Sequence, residues 1–141
     1  PVYGDGTNVR DWLHVQDHSA AIECILKHAV PGAVYNIGGN NEWQNIAIVQ
    51  LVCDLLDSRL GRTQGQNREL ITFVKDRPGH DRRYAIDAAK LKQDLGWSPA
   101  YTFEVGIAET IDWYLANQQW VTEITSGSYR EYYQQQYGGV A

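Results

Sequence analysis

Segments with a helical repeat of apolar residues alternate in this sequence with short apolar runs that end at glycine or at a charged loop. Apolar residues three and four positions apart predict four helices, over about 17–28, 45–60, 87–95 and 102–115. Two compact apolar runs, 33–37 and 70–74, predict buried strands. Because helices alternate with strands, we expect an α/β fold, or an α+β fold for the chain by itself.

The N-terminal residues predict two more extended pieces and the start of the first helix. Residues 1–6 form a short extended piece that ends in an Asp-Gly turn, and residues 8–15 resume a strand-like run. Asp17 is a residue type that commonly caps helices, so we expect it to be the N-cap of the first helix. The apolar face of that helix, which we expect to be buried, consists of Ile22, Ile25, Leu26 and Ala29.

The C-terminal tail from Ser126 to Tyr137 is rich in tyrosine and glutamine. Its tyrosines are Tyr129, Tyr132, Tyr133 and Tyr137. This pattern predicts a C-terminal helix that docks its aromatic face on the body of the protein, with a partner surface as the alternative.

The charge and hydropathy of the chain argue against several partners. The formal net charge is -5, which argues against nucleic acid, because a phosphate backbone is bound through a positive surface. No apolar run approaches the ~20 residues needed to cross a bilayer, and no signal peptide opens the sequence. We therefore expect no membrane partner and a cytoplasmic location. His14 and His18 fall in different predicted elements, so we expect no metal site.

The strongest candidate for a functional site is the loop Arg77–Arg83, which follows the second predicted buried strand. It holds three arginines and a histidine in a chain of negative net charge, and its proline and glycine predict an irregular backbone. Arginine forks match pairs of phosphate oxygens, so the loop predicts an anion site for phosphate or pyrophosphate. The alternative is a surface salt-bridge cluster in which Asp76 and Asp81 neutralise the arginines.

Arg10 is a second isolated positive charge, between Val9 and Asp11 in the strand-like run. Its partner could be Asp11 or Asp17, or a ligand in the same cleft as the arginine-rich loop. Gly38–Gly39 follow the first predicted buried strand, and Asn45 comes soon after them. Because ligands of open α/β sheets lie beyond the carboxyl ends of strands, these residues are placed where a ligand could bind.

Several catalytic and cofactor motifs are missing. The glycines never fall in the dinucleotide-binding spacing G-x-G-x-x-G, and there is no G-x-x-x-x-G-K-[ST] phosphate loop or G-x-S-x-G elbow. No tyrosine is followed four residues later by a lysine. The sequence therefore predicts a binding site without catalytic residues, cofactor-binding residues or metal ligands of its own. The chain has no methionine and opens at Pro1, so we expect it to belong to a longer translation product.

Five short runs along the chain read V-Y-G-D-G-x-x-x-R-D-W-L, Y-N-I-G-G-x-N-E-x-x-N, D-R-P-G-H-D-R-R-Y-A-I-D, L-G-W-x-P and W-Y-L-A-N. Together they resemble the C-terminal half of dTDP-glucose 4,6-dehydratases, which are extended short-chain dehydrogenase/reductase enzymes. The resemblance covers the chain from Pro1 to about Tyr137. The third run is the most selective of the five for this branch of the nucleotide-sugar epimerases and dehydratases.

The resemblance implies a two-part enzyme. An N-terminal Rossmann domain would hold NAD and the catalytic tyrosine, lysine, aspartate and glutamate, none of which is in this chain. Residues 1–141 would form the C-terminal nucleotide-sugar-binding domain, with one or more strands and helices completing the Rossmann sheet. The implied reaction oxidises C4 of the glucose by hydride transfer to NAD, eliminates water across C5 and C6, and returns the hydride to C6. The complete enzyme would be a cytoplasmic homodimer acting on dTDP-glucose.

Matching positions imply a set of substrate-binding residues, which are Pro1, Tyr3, Arg10, Asn45, Arg77 and His80. Tyr3 resembles the residue that stacks on the thymine, with Pro1 beside it. Arg10 resembles a phosphate-binding arginine, and Asn45 a polar contact to the diphosphate. Arg77 and His80 resemble the pair that closes on the pyrophosphate, and beside phosphates His80 is expected to favour its protonated form.

The resemblance does not assign a ligand to three further residues of interest, and it leaves the base of the nucleotide open. We expect Arg82 and Arg83 to pair structurally with Asp81 or Asp87, and we assign no role to Trp43. Aromatic stacking on Tyr3 does not distinguish thymine from uracil. A UDP- or GDP-sugar dehydratase or epimerase is therefore one alternative, and a stand-alone nucleotide-diphosphate-binding module is another.

Overall fold

The computed structural model describes residues 1–127, which contain four short strands, five α-helices and one 3₁₀ helix. The strands are β1 (Val2–Tyr3), β2 (Val9–Asp11), β3 (Glu42–Gln44) and β4 (Phe73–Val74). The helices are α1 (Val15–His28), α2 (Asn45–Arg59), α3 (Ala89–Leu95), α4 (Phe103–Ala116) and α5 (Gln118–Thr125), and the 3₁₀ helix is Asn67–Leu70. The tail tyrosines named above lie outside the described residues. Residues 1–108 form one unit, and a second unit begins at Glu109.

Two small ladders lie on either side of the arginine-rich loop. β1 pairs in parallel with β4, with Tyr3 opposite Val74. β2 pairs antiparallel with β3, with Arg10 opposite Trp43. The chain that leaves β4 returns to β2, because the Val9 amide donates to the Arg82 carbonyl at 2.8 Å and the Val9 carbonyl accepts from the Tyr84 amide at 3.0 Å. Both ends of the loop are therefore fixed by backbone hydrogen bonds.

The two predicted buried strands differ from the structure. The run 33–37 forms no ladder with any residue from 1 to 127, and Val34 is 77% exposed. Of the run 70–74 only Phe73–Val74 is a strand, and both of its residues are exposed. An apolar run becomes a buried strand only where other backbone pairs with it and side chains cover it. The expectation that such runs complete a larger sheet stays a prediction.

The start and the buried face of the first helix also differ from the prediction. α1 begins at Val15, and Asp17 lies inside it, 4% exposed, instead of capping it. The predicted buried face is wrong at Ile22 and Leu26, which are exposed. The helix instead buries Ala21 and Asp17, and it packs against α3. Periodicity identified the helix, but its packing against other elements decided which of its residues are covered.

Other helix boundaries agree with the sequence. α2 is followed by Gly61 at φ +63°, and α3 ends at Gly96 at φ +72°, the left-handed backbone that favours glycine. In the first unit, Phe103 at the start of α4 packs on Trp43, with ring centroids 4.9 Å apart. That contact gives Trp43 a packing role. Within residues 1–127 no helix combines the length and apolar character that crossing a membrane requires.

Candidate anion-binding site

The arginine-rich loop makes a tight turn directly after β4. Gly79 has φ +70°, and the His80 amide donates to the Arg77 carbonyl at 3.3 Å. A residue with a side chain would be strained at that φ, which explains why glycine follows the proline. The turn brings the imidazole of His80 back toward β2, where Arg10 lies.

A chain of side-chain contacts joins Asp76, His80 and Arg10. The Nδ1 atom of His80 lies 2.7 Å from an Asp76 carboxylate oxygen, and its Nε2 atom lies 3.0 Å from Nη2 of Arg10. A guanidinium group can only donate, so Nε2 must accept from Arg10 and the ring proton must be on Nδ1. The imidazole is therefore neutral in this arrangement, with 7% of its side chain exposed. Protonation of His80 beside a bound phosphate stays a prediction.

Asp76 contacts both the first residue of the loop, Arg77, and the imidazole of His80. Its carboxylate also accepts the backbone N–H of Arg77 at 2.8 Å. The hydrogen bond from His80, and secondarily that from the Arg77 backbone, lowers the pKa of Asp76 below its ordinary value. A Cβ atom on Gly4 would lie 3.0 Å from the same carboxylate, so the backbone after β1 packs directly on Asp76. As a result the Arg77 guanidinium lies 5.6 Å from the centre of the Tyr3 ring.

Arg10 is held from several sides. Its guanidinium lies 4.4 Å from the centre of the Tyr84 ring and donates to the carbonyls of Val9 at 2.7 Å and Asp81 at 3.0 Å. The Tyr84 hydroxyl in turn donates to the Asp81 carboxylate, and this hydrogen bond raises the pKa of Tyr84. The guanidinium thus has a fixed position before any ligand binds.

The aspartates considered as partners for these arginines are bonded elsewhere. The Asp11 carboxylate accepts the backbone amides of Gly39 and Asn41 at 2.9 and 2.8 Å. The Asp17 carboxylate accepts the backbone amides of two residues before α4, Ala100 and Tyr101, at 2.9 and 3.0 Å. Asp76 and Asp81 bind His80 and Tyr84, as described above. None of these four carboxylates therefore forms a hydrogen bond with an arginine side chain within residues 1–127, although the charge of Arg77 acts on Asp76.

The last two arginines of the loop behave differently from each other. Arg83 forms a two-point ion pair with Glu42 of β3, at 2.8 and 2.9 Å. Its pairing is structural, but the predicted partners Asp81 and Asp87 are wrong. The Arg82 side chain forms no hydrogen bond within residues 1–127, although its charge acts on Asp5.

The structure brings four of the six predicted substrate residues together. Tyr3 and Arg77 form one pair, and Arg10 and His80 form the other, with Asp76 between the pairs. Asn45, the first residue of α2, is joined to them less directly. Its amide donates to the Asn8 carbonyl at 2.9 Å, and the Asn8 side chain donates to the Asp81 carbonyl at 3.2 Å, the same carbonyl that accepts from Arg10.

Two predicted positions lie outside this arrangement, and two contributors were not predicted. Pro1 is exposed and forms no hydrogen bond or ring contact with the cluster. The glycine pair Gly38–Gly39 packs on protein atoms and is not open to a ligand. Sequence reasoning treated Asp76 only as a neutralising charge and gave Tyr84 no role. The signals for them were the four-residue spacing of Asp76 from His80 and a tyrosine at the end of a cationic loop.

The glycine pair Gly38–Gly39 does not fit the glycine turn of a site for NAD. A dinucleotide site needs a glycine turn open enough for the backbone to approach the pyrophosphate. A Cβ on Gly39 would lie 2.0 Å from the Trp12 carbonyl oxygen, and one on Gly38 would lie 2.8 Å from the Asp11 carboxylate. Protein atoms thus occupy the space beside this pair, and we assign no step of NAD chemistry to the described residues.

Comparison with known proteins identifies the family. The family model described as GDP-mannose 4,6 dehydratase matches residues 1–110. The chain belongs to this family. The matched region includes every residue of the site described above.

Individual relatives agree with the motifs. The dTDP-glucose 4,6-dehydratase of Xanthomonas campestris pv. campestris (strain ATCC 33913) is 61% identical over 131 residues, which is 92% of this chain and 37% of the relative. The crystal structure of dTDP-glucose 4,6-dehydratase from Bacillus anthracis in complex with NAD is 50% identical with a TM-score of 0.69, covering 85% of this chain and 35% of that one. The Streptomyces venezuelae enzyme, also with NAD, is 38% identical with a TM-score of 0.71 and the same coverage.

These comparisons confirm two predictions. The chain resembles dTDP-glucose 4,6-dehydratases, and its fold is that of part of an extended short-chain dehydrogenase/reductase enzyme with a Rossmann fold. The chain spans little more than a third of the length of the relatives it matches.

Proposed function

We propose that this chain is the substrate-nucleotide-binding portion of a dTDP-glucose 4,6-dehydratase. The observation that carries the proposal is that the nearby aspartates accept hydrogen bonds from other donors, which leaves the guanidinium groups of Arg10 and Arg77 without carboxylate hydrogen bonds. The Arg77 side chain forms no hydrogen bond with any residue from 1 to 127. A fixed cationic site of this kind suits the diphosphate of a nucleotide sugar, because arginine forks match pairs of phosphate oxygens.

The geometry supports a division of roles among the predicted residues. Tyr3 is about half exposed, so its ring is available to stack on a base, with Pro1 two positions before it in the chain. Arg77 lies close enough to that ring to bind the phosphate next to the nucleoside. Arg10, with His80 beside it, would bind the other phosphate, and Asn45 would add a neutral polar contact.

The activity proposed for the complete protein is the conversion of dTDP-glucose to dTDP-4-keto-6-deoxyglucose and water. Its product would serve deoxysugar biosynthesis, including that of rhamnose. NAD is the proposed cofactor, as in the related structures, and it would be held by residues outside this chain. The contribution of this chain is binding energy from the nucleotide and diphosphate, which positions the glucose for reaction. The homodimer and the cytoplasmic location stay predictions.

The test uses the protein as its gene encodes it. Product formation from dTDP-glucose is followed by mass spectrometry, and dTDP, UDP and GDP are titrated by calorimetry. We expect conversion to a product lighter by one water, and the tightest binding for dTDP. Absence of both conversion and nucleotide binding in a folded protein contradicts the proposal.

A related sugar nucleotide is the second candidate. The description of the matching family model, GDP-mannose 4,6 dehydratase, names a GDP-sugar, and this favours a GDP-sugar as the alternative substrate. Tyr3 could stack on guanine as well as on thymine, since stacking distinguishes bases poorly. Tighter binding of GDP than of dTDP, together with conversion of GDP-mannose, would replace the first proposal with the second.

A further inference from the structure

We propose that Asp76 is a positioning residue of the phosphate site, which holds Arg10 in place by fixing the tautomer of His80. The inference rests on the proposed function, because it assigns Arg10 to the phosphates of the nucleotide sugar. It goes further in assigning a role to a residue that is not expected to contact the substrate. Asp76 acts through His80, which acts through Arg10.

The first step of the argument concerns the imidazole. His80 has two ring nitrogens, and the neutral ring carries one proton that can sit on either of them. Asp76, 2.7 Å from Nδ1, offers only acceptor atoms when ionised, so it selects the tautomer with the proton on Nδ1. The low pKa of Asp76 keeps it ionised at neutral pH. Nε2 is then left with a free lone pair.

The second step concerns the arginine. Nη2 of Arg10 lies 3.0 Å from Nε2 of His80 and 3.0 Å from the Asp81 carbonyl oxygen, so both of its hydrogens have acceptors. One hydrogen of Nη1 points to the Val9 carbonyl. Within residues 1–127 this leaves the Nε hydrogen and the second Nη1 hydrogen without hydrogen bonds. The proposal assigns either of these two donors, singly, to a phosphate oxygen, because they lie on different edges of the guanidinium group and do not form one fork.

The third step is the consequence of the other tautomer. With the proton on Nε2, two N–H groups would face each other at 3.0 Å and the Arg10 guanidinium would move away. Without Asp76, no described acceptor holds the proton on Nδ1, because the remaining polar neighbour of the ring is Arg10 itself. Asp76 also accepts a hydrogen bond from the Arg77 backbone N–H, so the same carboxylate helps to position both Arg10 and Arg77.

The experiment compares Asp76→Ala with Asp76→Asn in the protein as its gene encodes it. Nitrogen-15 NMR without nucleotide reports the His80 tautomer, and calorimetry with dTDP reports affinity. For the wild type we expect the proton on Nδ1. For Asp76→Ala we expect protonation to shift toward Nε2, the Arg10 Nε resonance to move, and dTDP to bind about 3- to 10-fold more weakly, the factor for one hydrogen bond. Asp76→Asn keeps an acceptor oxygen, so it should retain most of the wild-type tautomer and affinity.

Asp54→Ala is the control, because it removes a carboxylate that lies outside the arginine-rich loop and pairs with Arg68 on the surface. We expect it to change neither readout. An Nε2–H or doubly protonated His80 in the wild type at neutral pH overturns the inference even if Asp76→Ala does not fold. An unchanged tautomer and affinity in Asp76→Ala overturns it as well. Failure of the proposed function is distinguishable, because a wild type that binds no nucleotide still reports its tautomer.

Discussion

Two aspartates, one in the last turn of α2 and one after β4, organise two different polar regions of this molecule. The Asp57 cluster, near the end of α2, consists of Asp57, Arg62, Gly65 and Asn67. The Asp76 cluster, after β4, consists of Asp76, Arg77, His80 and Arg10. In both, one carboxylate gathers several N–H donors from a nearby turn. Asp57 is 2% exposed, whereas 40% of the Asp76 side chain is exposed.

The clusters differ in whether hydrogen-bonding groups are left over. The Asp57 carboxylate accepts the Gly65 amide at 2.8 Å and both the backbone and side-chain N–H groups of Asn67, while Arg62 donates to the Asn67 side-chain oxygen at 2.7 Å. The Asp76 carboxylate is satisfied too, but Arg10 and Arg77 keep donors without partners within residues 1–127. A completed buried network stabilises the fold, and a pre-positioned network with spare donors is suited to a ligand.

The largest expected effect is on stability and belongs to the Asp57 cluster. Asp57→Ala leaves two buried N–H groups of Asn67 and the part-buried Gly65 amide without an acceptor. We expect a loss of about 2 to 4 kcal/mol in the free energy of unfolding, because each unsatisfied buried group carries a desolvation cost. Urea unfolding of the gene-encoded protein measures it. A variant as stable as the wild type would remove the distinction between the two clusters.

The next effect is on nucleotide binding and belongs to the Asp76 cluster. Arg77→Ala should weaken dTDP binding by about 1.5 to 3 kcal/mol, the range for a charge-assisted hydrogen bond, with little change in unfolding. Arg83→Ala is the matched control from the same loop, because Glu42 already pairs with Arg83. We expect it to change stability by at most about 1 kcal/mol and affinity very little. Calorimetric titration and unfolding of both variants check this. If the wild type and Arg77→Ala bind dTDP with equal affinity, the loop contributes only surface electrostatics and no direct phosphate contact.

The smallest effect is the acid dependence of the Asp76 cluster. The pKa of Asp76 is lower in the folded protein than in the unfolded chain, chiefly because of its hydrogen bond from His80. The stabilisation is therefore complete above the ordinary pKa of aspartate, about 3.9, and is lost as pH falls through the lowered folded value. Asp76→Asn should consequently lose less stability than the wild type across that acid range. Unfolding midpoints of both proteins at several pH values below neutrality measure the difference. If the two midpoints fall in parallel with pH, the lowered pKa of Asp76 is contradicted.

Much of the helical part of the fold could be predicted because its signals are local. The repeat of apolar residues identified α2 and α4, and Gly61 and Gly96 marked helix ends through the backbone freedom of glycine. The same local reasoning predicted a buried strand over 33–37, a run that forms no ladder with any residue from 1 to 127. Strand pairing depends on distant backbone, which composition and periodicity do not contain.

The candidate site divides in the same way. The clustered arginines, the histidine and the glycine of the loop made an anion site predictable, because their charge and hydrogen-bonding capacity are properties of the residues themselves. The carboxylate partners could not be predicted. Glu42 pairs with Arg83 from 41 positions away, and Asp11 and Asp17 bind backbone amides instead of Arg10.

The sequence by itself determined the family, most of the helices and the residue types of an anion-binding loop. The tertiary structure decided which carboxylates were already used, which groups the two ring nitrogens of His80 face and which donors of Arg10 remain. The physical reason is that a hydrogen bond forms between groups within about 3 Å of each other. Those groups come from β1, β2 and the loop after β4, and only the folded backbone brings them together.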